Sequence, residues 1–162
     1  MKQTLVTPLG LFVLLLSATV SEGKDCQNLD AHMLLRITKD GCTSPAVLCT
    51  VAQLQAPGKF LDGATWFFTM VGSAESAGMR PLEPASTLSY AGKVAVTTSK
   101  GTIMTTNVGV YDPAIGAFSQ LDRVIAGTGD FDQVTGTIFV TARGDDEHGF
   151  ASDVRGEVCT GR

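Results

Sequence analysis

The sequence predicts an all-β fold: a single antiparallel barrel of eight strands, closed on itself, with a β-sandwich of the same strands as the alternative. Three observations lead there. Short strand-like runs recur along the chain, separated by turn residues. No long window places apolar residues at i, i+3, i+4 and i+7, so almost no helix is expected. Glycines inside the runs (Gly92, Gly109, Gly136, Gly156) favour a barrel over a sandwich, because strong coiling needs positions without a side chain. Eight strands joined by short hairpins are about the number that closes a small barrel, and closure removes exposed sheet edges.

The chain opens with Lys2 and an apolar run from Pro8 to Val20, followed by the small residues Ser21 and Gly23. The run is shorter than the roughly 20 residues that span a bilayer, so residues 1–23 read as a signal peptide, with an uncleaved anchor as the alternative. No cysteine ends the run, which argues against a bacterial lipid anchor. The predicted location is secreted or periplasmic, with no integral membrane segment after processing. Residues 24–162 suffice for one domain with one core.

The predicted strands follow in order. Met33 to Lys39 ends at Asp40-Gly41, and Val47 to Gln55 ends at Pro57-Gly58. Leu61 to Val71 carries Trp66-Phe67-Phe68, the most aromatic segment. Leu88 to Thr98 and Thr102 to Tyr111 flank the hairpin signal Ser99-Lys100-Gly101. The turn Asp112 to Gly116 contains Pro113, which pre-sets its backbone. Ala117 to Ile125 and Val134 to Arg143 flank a glycine-rich turn, and Phe150 to Cys159 closes the series. Gly72 to Ser86 is too long for a hairpin and reads as a functional or mobile loop.

Cys26, Cys42, Cys49 and Cys159 all lie in the exported part, and an even count there favours two disulfides. Three connectivities exist. Cys42 and Cys49 bracket a short loop and are paired, which leaves Cys26 with Cys159. A zinc site is the rival reading, but no Cys-x-x-Cys occurs and no metal is expected. The formal net charge is −4, which argues against a nucleic-acid partner. Charged residues make up 17% of the chain, against about 25% in typical domains.

Candidate site residues are few. Asp122 and Arg123 are strand neighbours and face opposite ways. If Asp122 enters the lumen beside Phe118, Gln120 and Val124, burial favours its neutral form and makes it a candidate general acid. Otherwise it is a rim residue paired with Arg143 or Arg155. Asn107 and Tyr111 share a strand face with Ile103 and Thr105, and would orient a ligand carbonyl or hydroxyl, or else form a core polar pair. Trp66, with Phe67 or Phe68, is core or ligand cage. His148 lies beside Asp145, Asp146 and Glu147 at a hairpin tip, a solvated loop or a metal site. His32 just precedes the first predicted strand. Asp153, Arg155 and Glu157 mark a solvent face. No phosphate loop, dinucleotide fingerprint or nucleophile elbow occurs, and no cofactor is expected.

The turn Gly127-Thr128-Gly129-x-Phe131, followed by Gly136, sits between two strands and resembles that of the allene oxide cyclase/dirigent-like β-barrels. The strong similarity covers Asp122 to Ala142. The resemblance implies a barrel with an apolar lumen, in which family members guide a cyclisation or a phenoxy-radical coupling. No active-site residue is carried over. A positive φ is expected at Gly129, with Phe131 anchoring a barrel end.

The leading functional expectation is a binding module that holds a small apolar ligand in its lumen. The alternatives are a cofactor-free barrel steering cyclisation or radical coupling, which would make it an isomerase-like enzyme, and a structural envelope or matrix protein that oligomerises through its sides.

Overall fold

The computed structural model describes residues 24–75 and 87–161. The expected signal peptide and residues 76–86 of the expected loop lie outside the described residues. Eight strands follow in sequence: β1 (Asp25–Thr38), β2 (Cys49–Gln53), β3 (Thr65–Glu75), β4 (Leu88–Thr98), β5 (Gly101–Asp112), β6 (Ala117–Gly127), β7 (Thr135–Asp145) and β8 (Gly149–Thr160). Each pairs antiparallel with the next, and β1 pairs with β8, so the sheet closes into a barrel. It is not a sandwich. Among the described residues no helix is long and apolar enough to cross a membrane.

Three strands depart from the sequence expectation in where they begin or end. β1 begins at Asp25 rather than Met33, because Leu29, Ala31 and Met33 alternate inward and the whole stretch pairs with β8. Ahead of Met33 its outward residues Asn28, Asp30 and His32 are polar, which hides the start of the strand in a hydropathy reading. β2 is shortened to Cys49–Gln53, with Gln55 making an isolated bridge to His32. β3 starts at Thr65, and Leu61 instead plugs the core from the preceding turn segment at 0% exposure. β3 also runs on to Glu75, into what reads as loop.

Two disulfides are present, Cys26–Cys159 and Cys42–Cys49. Cys26 and Cys159 are direct cross-strand partners, so the bond fastens β1 to β8 where the barrel closes.

One end of the barrel is filled and the other is not. At the filled end Phe131 is buried and its ring centroid lies 6.2 Å from that of Phe60. At the other end the rings of Tyr111, Phe118 and Phe150 form a mouth, with Phe150 6.0 Å from Tyr111 and 5.8 Å from Phe118. Between them the interior is apolar, with Val94, Val96, Ile138, Val140 and Val154 fully buried. A polar belt interrupts it.

Candidate functional site

The belt is built by the inward faces of β4, β5 and β6. Alternation along β6 turns Phe118, Gln120, Asp122 and Val124 inward, in that order from the mouth. Register pairs Asn107 with Asp122 and Thr105 with Val124, and a bulge beyond both, between Thr105 and Met104, leaves Ile125 over. Asp122 therefore lies inside the barrel, not at the rim, and neither Arg143 nor Arg155 reaches it. Arg155 instead faces the exposed Asp30, 3.7 Å away.

Asp122 is fully buried and accepts three hydrogen bonds: from Thr105 Oγ1 at 2.7 Å, Asn107 Nδ2 at 3.1 Å and Gln120 Nε2 at 2.6 Å. Burial pushes its carboxyl above the ordinary value, and the bonds from Gln120, Thr105 and Asn107 oppose that shift. Burial prevails because no lysine, arginine or histidine is buried among the described residues. Asn107 Oδ1 is buried without a partner, an arrangement that costs about 1–3 kcal/mol.

Gln120 carries the network toward the mouth. Its Oε1 accepts from the Tyr90 hydroxyl at 3.0 Å. Tyr90 comes from β4, and its ring stands edge-on to Phe68, with centroids 5.9 Å apart. Burial, and then the charge of Asp122, push the Tyr90 phenol up from its ordinary value. Neither Tyr90 nor Gln120 stands out in the sequence as a ligand-binding residue. The available signal was Gly109, which is the cross-strand partner of both.

A cavity of about 90 Å³ opens at the mouth. Met33, Leu35, Trp66, Phe68, Met70 and Phe150 give it apolar walls, while Tyr90 and Gln120 lie on its inner side and Asp146 at its rim. Trp66 and Tyr111 both line it. Asn107 and Asp122 do not: they lie one layer deeper, behind Gln120. The four proposed ligand residues are thus divided between cavity wall and buried support. An open concavity of about 610 Å³ also lies on the barrel's outer face, lined in part by the exposed Val108, Leu121 and Phe139.

The remaining candidates lie elsewhere. Gly127 ends β6 opposite Ile103, and Gly136 lies in β7 opposite Val158. Gly129 has φ +62° and opens a 3-10 turn that delivers Phe131 to the filled end. His148 Nδ1 lies 2.9 Å from Asp145 at the exposed β7–β8 turn. The backbone N–H of His148, with its side chain, holds the Asp145 carboxyl below its ordinary value. His32 pairs with Asp153 at 2.7 Å on the outer face. Cys26, Cys159 and Glu157 form a cluster of metal-ligating types, but the disulfide consumes both thiols. No protein-family model matches the chain, and a search of curated proteins finds no match.

Proposed function

We propose that this protein is a secreted or periplasmic binding module that takes a small apolar ligand into the mouth of its barrel. The observation that carries this reading is the cavity itself: an apolar enclosure with a converging Tyr90–Gln120 pair at its inner side. Two disulfides support an oxidising compartment. At about 90 Å³ the cavity is smaller than one that holds benzene, about 150 Å³. The ligand therefore inserts one end and leaves the rest among Tyr111, Phe118 and Phe150. Kinship with the allene oxide cyclase/dirigent-like barrels belongs to the same proposal and rests on the glycine turn and the closed eight-stranded sheet. Their steering of cyclisation is a weaker reading for this chain, because Gln120 stands between the buried acid Asp122 and the cavity.

Trp66 is 1% exposed and lines the cavity, so its fluorescence reports occupancy. Titration with small hydrophobic probes is expected to change the emission saturably. A flat response to every probe would contradict the reading.

A second reading, self-association through the barrel's sides, is favoured by one observation. Val108, Leu121 and Phe139 are cross-strand partners in a row on the outer face, with Val108 61% and Phe139 57% exposed. Light scattering after size exclusion tests it: a monomer at all concentrations would rule it out.

A further inference from the structure

We propose that the lumen selects uncharged ligands bearing a hydroxyl group and rejects carboxylates of the same carbon skeleton. This rests on the binding reading above and names its ligand class.

Hydrogen-bond capacity at the inner side of the cavity sets the first preference. Gln120 Oε1 accepts from Tyr90, and one N–H of its amide is given to Asp122. An amide nitrogen carries two N–H groups, and a phenol oxygen that donates still has lone pairs to accept with. The inner side of the cavity therefore offers one further donor, from Gln120, beside one acceptor, the Tyr90 oxygen. A ligand hydroxyl accepts from the first and donates to the second. An ether or a halide uses only half of that capacity.

Charge decides the rest. Among the described residues no lysine, arginine or histidine lines the cavity. A carboxylate entering head-first would be desolvated against Gln120, whose amide gives it one N–H where water gives several. Entering tail-first, it would place its head at the mouth beside Asp146. Head-first entry strips the charge of water against an amide, tail-first entry sets it beside Asp146, and no cation among the described residues offsets either, so rejection does not depend on which way the ligand lies.

The test uses the purified protein and three probes of matched length: 1-hexanol, hexanoate at pH 7 and the ether 1-methoxypentane, each titrated against Trp66 fluorescence. The expected result is that 1-hexanol binds at least tenfold more tightly than hexanoate. It should exceed the ether by about fivefold, the value of one additional net hydrogen bond. Tyr90→Phe is expected to erase the preference for alcohol over ether, with circular dichroism confirming the fold. Asp146→Lys, on an exposed turn, is expected to narrow the gap between hexanol and hexanoate. Hexanoate binding as tightly as hexanol would overturn the charge selection, and equal binding of alcohol and ether would overturn the hydroxyl recognition. Failure of all three probes to bind would instead remove the lumen reading itself.

Discussion

Tyr90 lies across Gly109: the two are cross-strand partners on β4 and β5, and a Cβ built on Gly109 would fall onto the tyrosine ring. Gly109 is in turn opposite Gln120. The missing side chain is what allows a phenol from β4 to reach over β5 and bond an amide on β6. A glycine in the middle of a strand, usually a weakness, here opens the path between two polar groups.

Gly109→Ala is therefore expected to push Tyr90 off Gln120. Overpacking of this kind costs about 1–3 kcal/mol. Tyr90→Phe, which removes only the hydroxyl, is expected to cost less, about 1 kcal/mol. Thermal melts of both variants give the comparison. Gly109→Ala melting with the wild type would contradict the close approach.

Asp122 makes the stability depend on pH. Its folded-state pKa is raised, with burial as the leading cause. Below about pH 4 both folded and unfolded chains hold the proton. Above that the unfolded chain releases it while the folded chain retains it, so stability falls as pH rises until the folded pKa is passed. Asp122→Asn removes the titration and roughly keeps the shape. Its stability relative to wild type should therefore improve between pH 4 and pH 7. Urea unfolding at the two pH values measures this, and parallel curves for the two proteins would contradict it.

The Cys26–Cys159 bond spans 133 residues of sequence. On the chain-entropy model a loop of that size stabilises by about 4 to 5 kcal/mol. Replacing both cysteines by serine should lower the melting temperature by about 10 °C or more. An unchanged melt would show that the β1–β8 seam holds without it.

Gly129 combines φ +62° with an approach to the β4–β5 hairpin so close that a Cβ would strike the Lys100 carbonyl oxygen. Around it, Asp130 N–H donates to Lys100 O at 2.9 Å and Thr102 N–H to Thr128 Oγ1 at 3.1 Å. Gly129→Val should cost about 1–3 kcal/mol and several degrees of melting temperature. An unchanged melting temperature would remove the structural role of this turn.

What was legible in the sequence was periodicity and punctuation. The inward set of β6, Phe118 to Val124, follows from alternation alone, and so does the shared face of Thr105, Asn107 and Tyr111 on β5. That Asn107 and Thr105 hold Asp122 was not legible, because it depends on the register between the two strands and on how far the side chains reach across it. Tyr111 and Asn107 share a face yet lie at different depths, one in the aromatic mouth and one in the buried belt. The early start of β1 was missed because its outward positions are polar. Each failure concerns what passes between strands, which the alternation along a single strand does not encode.

The central claim is that the barrel's mouth receives the ligand. Chemical-shift mapping of the isotope-labelled protein, titrated with 1-hexanol, tests this most directly. The account predicts shifts concentrated at Met33, Trp66, Phe68 and Phe150, the walls of the cavity. Shifts confined to Val108, Leu121 and Phe139 on the outer face, or none at all, would contradict it.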